Sequence, residues 1–396
     1  MSIAPRRTAT RRGTRSRFAR LLGPIAPTLL FAACAAPPAE RLPMGTLLAG
    51  DAQQAVLLLQ GLEQLRGTPL GLVAADLRRR LAGCRGFVAF CPAEGGSCTL
   101  AGSVRCEPRD ELAVLADEAR GDAGWLLVQR TPDRLLVARG TTHANGDVAV
   151  RASVRVAPSA DLWQVLLPAR RGPDPPVLSD ASALIHLRLR SDHGGVVLGQ
   201  LGEGDWAERL FGLRQQVFLA MDLEGTVEVA MFDPATGELV PPLAAAIHVR
   251  RRGPAVEAME ALIADVRARW GAGRRPWRFG TAAGACLDNL NVLPQLAPCY
   301  VATERALVVG WNRRSIAAAL GAAPTAAPTA TSEIVLALDR FPAADRRLRA
   351  SFHRPEEAEG RYAWSRLEVR GVRRWNRYAI DLGLRAGAGG GAGTRR

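Results

Sequence analysis

Apolar positions recur along this chain with two periods, 3.6 and 2, which alternate from residue 44 onward. Over Ala52–Arg66, Ala55, Leu58, Leu59, Leu62 and Leu65 share one helical face, with Asp51 placed as the cap. Val73, Leu77 and Leu81 predict a second helix. Phe87–Cys91 and Cys98–Val104 predict the arms of a hairpin around Pro92–Ser97. Asp110–Arg120 reads as a helix with Leu112, Leu115 and Ala119 inward. Trp125–Gln129 and Arg134–Ala138 predict a hairpin around Thr131-Pro132-Asp133, and Asn145-Gly146 is a turn signal leading into the alternating strand Val148–Val156.

After the Pro-rich break Pro168–Pro176 the pattern resumes. Leu184–Arg190 alternates as a strand, Trp206–Leu213 reads as helical, and Val217–Phe232 reads as strands turning at Glu224-Gly225. Ala246–Arg250 is a further strand. Pro254–Trp270 predicts a helix with Pro254 in its first turn and Val256, Met259, Ile263, Val266 and Trp270 as its stripe. Tyr300–Thr303 and Ala306–Trp311 predict a hairpin around Glu304-Arg305. Asn312 then caps the helix Arg314–Leu320, which Gly321 ends. The last elements are a strand Ile334–Leu338, a helix near Ala343–Ala350 and strands Arg361–Arg370 and Trp375–Leu384.

Runs of strands with interspersed helices predict an α+β fold of antiparallel sheet with helices packed on one face. Cys98–Cys106, Asp110–Arg120 and Trp125–Ala138 repeat in outline as Ala246–Arg250, Val256–Trp270 and Tyr300–Trp311. The expectation is therefore two related modules, 44–167 with the disulfide hairpin and 179–321, then an Ala/Pro/Thr linker 322–332. A smaller basic unit, 333–385, and a disordered Gly-rich tail, 386–396, would follow. The run Leu307-Val308-Val309-Gly310 leading to Ala317-Ala318-Ala319-Leu320 resembles a unit of uncharacterised secreted bacterial repeat proteins. That resemblance implies an α+β repeat architecture and carries no activity.

The first 20 residues hold seven arginines and no acid, and Leu21–Ala33 is a 13-residue, mostly apolar core interrupted by Pro24 and Pro27. This core is too short for a spanning helix. Phe31-Ala32-Ala33-Cys34 follows, and it resembles the lipobox of bacterial lipoproteins. The resemblance implies a signal peptide 1–33, cleavage before Cys34 and a diacylated cysteine on a Pro-rich tether, 34–43. Ala35 after the cysteine implies sorting to the periplasmic side of the outer membrane.

Six cysteines remain, an even number suited to an oxidising compartment. In an antiparallel pair, facing residues share a constant index sum. That sum is 189 for Cys91–Cys98 and 190 for Cys84–Cys106, which makes these the natural pairs with one bulge between them, and leaves Cys286–Cys299. The rival is a zinc site, but there is no C-x-x-C and no nearby histidine. No metal or other cofactor is expected.

Every one of the 52 basic residues is arginine, and the chain carries +14 overall. From Cys34 on, 45 arginines face 38 acids, a net +7, and Arg361–Arg396 alone carries nine arginines against Glu368 and Asp381. The basic character thus belongs to the C-terminal end. There Arg366, Arg370, Arg373, Arg374 and Arg377 interleave with Trp364 and Trp375. One reading is a surface for an anionic envelope component such as phospholipid headgroups. The other is an amphipathic edge hairpin with its arginines in water and its aromatics in the core. Nucleic acid does not suit an envelope location.

Catalytic motifs are missing. The five histidines include no H-E-x-x-H, and His186 and His248 on predicted strands read as hydrogen-bonded structural residues. Ser191-Asp192-His193 places triad residue types in a row, whereas a triad draws them from separate segments. The sequence therefore favours a membrane-anchored periplasmic lipoprotein that binds or scaffolds an envelope component or protein without catalysis. The alternatives are a carrier of an apolar ligand and an envelope hydrolase. An apolar pocket would favour the first, and a cleft collecting histidine and carboxylates the second.

Overall fold

The computed structural model describes residues 37–64, 69–92, 103–106, 111–156, 175–190, 223–290, 296–322, 330–352, 363–374 and 377–387. Cys34, Cys98, the Ser191-Asp192-His193 run, the helix expected over Trp206–Leu213, Trp375 and the tail beyond 387 lie outside these residues.

In chain order the elements are α1 (Pro38–Arg41), β1 (Gly45–Asp51), α2 (Ala52–Glu63), α3 (Pro69–Leu81), β2 (Gly86–Pro92), β3 (Ser103–Arg105) and α4 (Glu111–Arg120). Then come β4 (Trp125–Arg130), β5 (Arg134–Thr142), β6 (Val148–Val156), β7 (Ala183–Arg190), β8 (Leu223–Phe232), β9 (Leu243–Val249) and α5 (Arg252–Trp270). Last are β10 (Gly273–Phe279), β11 (Ala282–Asp288), β12 (Cys299–Ala302), β13 (Ala306–Gly310), α6 (Arg313–Leu320), β14 (Ser332–Leu336), a 3₁₀ turn Leu338–Arg340, α7 (Phe341–Ser351), β15 (Trp364–Arg374) and β16 (Arg377–Ala386). The cap signals hold in atomic detail. Asp51 Oδ1 accepts the Gln54 N–H at 2.9 Å to start α2, and Asn312 Oδ1 accepts the Ser315 N–H at 2.9 Å to start α6.

The sixteen strands among the described residues join one antiparallel sheet in the order β10-β11-β12-β13-β9-β8-β7-β14-β15-β16-β6-β5-β4-β1-β2-β3. The C-terminal elements are therefore not a separate unit. Strands β14, β15 and β16 lie in the middle of the sheet, with β14 paired to β7 and β16 paired to β6. The basic hairpin is thus not an edge. The segments compared as repeats also enter the sheet differently: β4 pairs with β1, whereas β13 pairs with β9.

Helices pack on both faces, which corrects the one-face expectation. Call front the face that bears Leu126 and Val308. There α1 and α4 bury Ala39, Leu42, Ala113, Ala116 and Ala119 against Leu47, Ala49, Val88, Leu126 and Val128. At the far end α6 buries Ile316 and Ala319 against Ala246, Val301 and Val308. On the back, α2 and α3 pack Leu59, Leu77 and Leu81 with Phe87. At the other end α5 packs Met259 and Ile263 with Leu287, Tyr300 and Leu307. Alternation along each strand feeds both faces, so a sheet apolar on both sides at its ends needs covering twice. Trp270, assigned to the α5 stripe, is instead exposed at 45%.

Several local expectations change. The proposed tether is partly docked, because Ala39 and Leu42 are core residues, Arg130 donates to the Glu40 and Leu42 carbonyls at 2.5 Å, and Glu40 pairs with Arg155 at 2.5 Å. Glu224-Gly225 is no turn: β8 runs through it, with Gly225 at φ 97° and a register shift between Leu223 and Val227. The hairpin β10–β11 answers to no predicted element. The β2–β3 ladder pairs Val88 with Arg105, an index sum of 193 rather than 189 or 190. Cys84–Cys106 nevertheless forms, since Cys84 precedes the strand and its sulfur is not bound by the ladder register. Cys286–Cys299 also forms, between residues facing directly across β11 and β12. Cys91 is disulfide-bonded.

Candidate functional site

The strand order lines up charged residues that are far apart in sequence. Reading directly across the ladders from β8 to β5, the facing residues are Glu228, Arg188, Glu333, Arg370, Asp381, Arg151 and Arg139. All seven lie on the front face. The signs alternate for six positions, as favourable cross-strand pairs require, and fail at the seventh. Exposure grows along the row. Glu228 and Arg188 are buried, Arg370 is half exposed, and the Arg151 side chain is 92% exposed.

The buried end of the row is a polar knot. Glu228 accepts the Val177 N–H at 3.0 Å, the Leu178 N–H at 2.9 Å and the His248 imidazole Nε2 at 2.7 Å. Burial alone would push its carboxyl up, but those donors hold it below the ordinary carboxylate value. His186 Nε2 lies 3.9 Å from the same carboxylate and has no hydrogen-bond partner among the described residues. Burial pushes its imidazole down, Glu228, Asp180 and Glu333 offset part of this, and Arg188 adds to the lowering. The expected structural histidine is thus seen at His248, while His186 lacks the bond. With His248 and Glu228 at 1% and 0% side-chain exposure, the knot offers a substrate no access.

A pH dependence follows. Both groups have lowered folded values, so the unfolded chain binds more protons and stability rises with pH. The His186 contribution is complete above its ordinary value of 6.5 and is lost as pH falls below it, while that of Glu228 goes only below 4.5. Urea unfolding between pH 7.5 and 5 should show falling stability in wild type and a shallower slope in His186→Gln. Equal slopes would remove His186 as the cause.

The exposed end of the row floors a groove of about 790 Å³ on the front face, walled by the C-terminal end of α4. Arg120, Arg139, Arg151 and Arg370 line it with Asp122, Glu368, Asp381, Thr141 and His143. Arg139 Nε donates to the Ala119 carbonyl at 2.5 Å, and Arg120 to the Ala123 carbonyl at 3.1 Å and to Asp117 at 2.5 Å. Arg370 pairs with Glu333 at 3.1 Å and with Glu368 at 3.4 Å. Arg151 approaches Asp381 only to 4.0 Å.

Only part of the sequence-predicted surface meets here. Arg370 lines the groove, and Arg366, two residues from Glu368 on the same strand, pairs with that acid at 2.7 Å. Arg377 is exposed at the start of β16, facing Arg374. Arg373 alternates to the back face, opposite Tyr378. Trp364 is buried at 7% against Trp125 and Val148, and its indole N–H donates to the Gly146 carbonyl at 3.0 Å. A side chain on Gly61 of α2 would collide with that ring. Trp364 is therefore a clamp between the hairpin and the first helices, not a contact aromatic. Arg139, Arg151 and Arg120 were missed. Arg139 meets Arg151 through the β5–β6 hairpin, whose Asn145-Gly146 turn the sequence signals, whereas their approach to Asp381 and Arg370 depends on pairing β16 with β6.

No protein-family model matches the chain, and neither a curated protein nor a solved structure matches it. Chemistry must therefore be read from the groups themselves. The groove does gather a histidine and carboxylates. But Glu368 is held by Arg366 and Arg370, and among the described residues no hydrogen bond orients the His143 imidazole. Among the described residues the groove shows no hydrogen bond linking a base to an orienting carboxylate. Among the described residues no group of three or more His, Cys, Asp or Glu is placed to hold a metal ion, and no helix is long and apolar enough to cross a membrane.

Proposed function

We propose that the chain is a lipid-anchored envelope protein that binds an anionic partner without catalysing a reaction, and that the front-face groove is the contact. The observation behind this is the groove's lining, in which four arginines face three carboxylates across the exposed end of the charge row. The anchor fits the fold. The helix α1 begins at Pro38, four residues after Cys34, and Ala39 and Leu42 are buried against the sheet. Sorting to the outer membrane rests on Ala35.

The test uses Cys34→Ser. This variant should leave the membrane fraction and become soluble, and membrane retention with a processed N-terminus would end the anchored reading. The soluble form should bind phosphatidylglycerol vesicles and release them as salt rises, since the Debye length falls from ~10 Å at 0.1 M to ~3 Å at 1 M. Salt-insensitive binding would end the anionic reading.

A second reading, an apolar-ligand carrier, is favoured by the back face of the central strands. There Leu187, Val229, Ile334, Leu367, Val369 and Leu382 are only half-buried. Stoichiometric lipid extracted from the purified soluble form would select this reading.

A further inference from the structure

We propose that Arg139 and Arg151 form a binding site for a phosphate group, an assignment that rests on the groove being the anion-binding surface. These two residues face each other directly across β5 and β6, on the floor of the groove. Like charges directly opposite across a ladder are destabilising. Everywhere else along this row an arginine faces an acid. Other arginines also face each other across these ladders, Arg366 with Arg385 and Arg377 with Arg155, but among the described residues only the Arg139–Arg151 pair lines the groove, and a rule broken at a concave surface is expected where a ligand supplies the missing charge.

The geometry leaves both guanidinium groups able to take an anion. Arg139 is fixed through Nε on the Ala119 carbonyl, and its terminal nitrogens make no hydrogen bond among the described residues. Among the described residues Arg151 has only Asp381, 4.0 Å away and itself 75% exposed. The neighbouring arginines are already paired, Arg370 with Glu333 and Glu368, and Arg120 with Asp117. The unbalanced positive charge of the groove therefore sits on Arg139 and Arg151. A phosphate offers several acceptor oxygens and can take paired N–H bonds from two planar forks, replacing one repulsion with two attractions.

The anchor places a source nearby. Glu40 of α1 pairs with Arg155, four residues from Arg151 on the same face of β6, which is about 13 Å along the strand. Pro38 begins α1, and its four-residue reach to Cys34 is at most about 14 Å. A lipidated Cys34 would hold this face beside phospholipid headgroups, and free phosphate esters are the other source.

The experiment uses the soluble Cys34→Ser protein, titrated calorimetrically with pyrophosphate and floated with phosphatidylglycerol or phosphatidylcholine vesicles. Arg139→Gln and Arg151→Gln should each weaken binding about tenfold, the loss of a hydrogen bond to a charged group. Arg151→Lys, which keeps the charge but not the fork, should weaken it too and guards against a folding defect. Arg278→Gln, on the far edge strand β10, should bind as the parent does. Weakened pyrophosphate and vesicle binding supports the site with a free phosphate group as sufficient. Weakened vesicle binding alone supports it with the lipid headgroup as source. Salt-sensitive binding that is equal in parent and variants overturns this inference and leaves the anionic reading intact. A parent protein that binds neither probe overturns both.

Discussion

Replacing Glu228 by alanine is expected to destabilise the fold by about 3–5 kcal/mol, the usual cost of removing one partner from a buried charged cluster. The carboxylate is fully buried and accepts three hydrogen bonds, from Val177 N–H, Leu178 N–H and His248. It also faces buried Arg188 across the ladder. Alanine would leave two amides and an imidazole short of an acceptor in a space water does not reach. Glu228→Gln keeps one acceptor oxygen and should fall between. Denaturant unfolding of the soluble form measures both. A Glu228→Ala protein within about 0.5 kcal/mol of the parent would mean the knot holds nothing together.

Removing the Cys286–Cys299 bridge is the second large effect. Both cysteines are buried in the cluster under α6, at 4% exposure, and they face each other across β11 and β12. Their sequence separation of 13 closes a loop for which the chain-entropy account gives about 3 kcal/mol. Cys286→Ala with Cys299→Ala should therefore cost about 2–4 kcal/mol. Cys84→Ala with Cys106→Ala serves as the comparison. A reducing agent should lower the parent's unfolding midpoint by more than it lowers that of the Cys286/Cys299 variant. If reductant acts equally on both, this bridge contributes nothing, and the register alone keeps the two strands together.

Elements with strong local signals were legible. The helices α2, α5 and α6 carry caps or a first-turn proline beside a 3.6-residue stripe, and the β4–β5 and β12–β13 hairpins alternate around short polar turns. The β10–β11 hairpin was not legible, because Gly273–Asp288 is rich in glycine, alanine and arginine and holds Pro276 within a strand. Proline is tolerated there because β10 is an edge, a fact that exists only once the sheet is ordered. The bulge at Gly225 was read as a turn for a related reason: a positive-φ glycine serves either, and the flanking ladder decides.

Disulfide pairing shows where sequence arithmetic reaches its limit. Cys84–Cys106 was expected from a register that the strands do not adopt, and it forms because the sulfurs sit beyond the ladder's constraint. The basic hairpin was also found in the right place along the chain and given the wrong place in space. Composition located its charge, but only pairing with β14 and β6 made it the centre of the sheet. Its alternation then sent Arg366 and Arg370 to the front, Arg373 to the back and Trp364 into the core.

By itself the sequence determined the α+β class, most helices and hairpins with their caps, the two observed disulfides and the position of the excess positive charge. These depend on neighbours within some twenty residues, where periodicity, cap chemistry and turn residues act directly. Only the tertiary structure decided that helices cover both faces, that the C-terminal strands join the two halves, and that seven residues between Arg139 and Asp381 form one row ending in a like-charged pair. Those facts depend on which strands pair. Pairing is settled by burying apolar residues over the whole sheet at once, a sum that no local stretch of sequence contains.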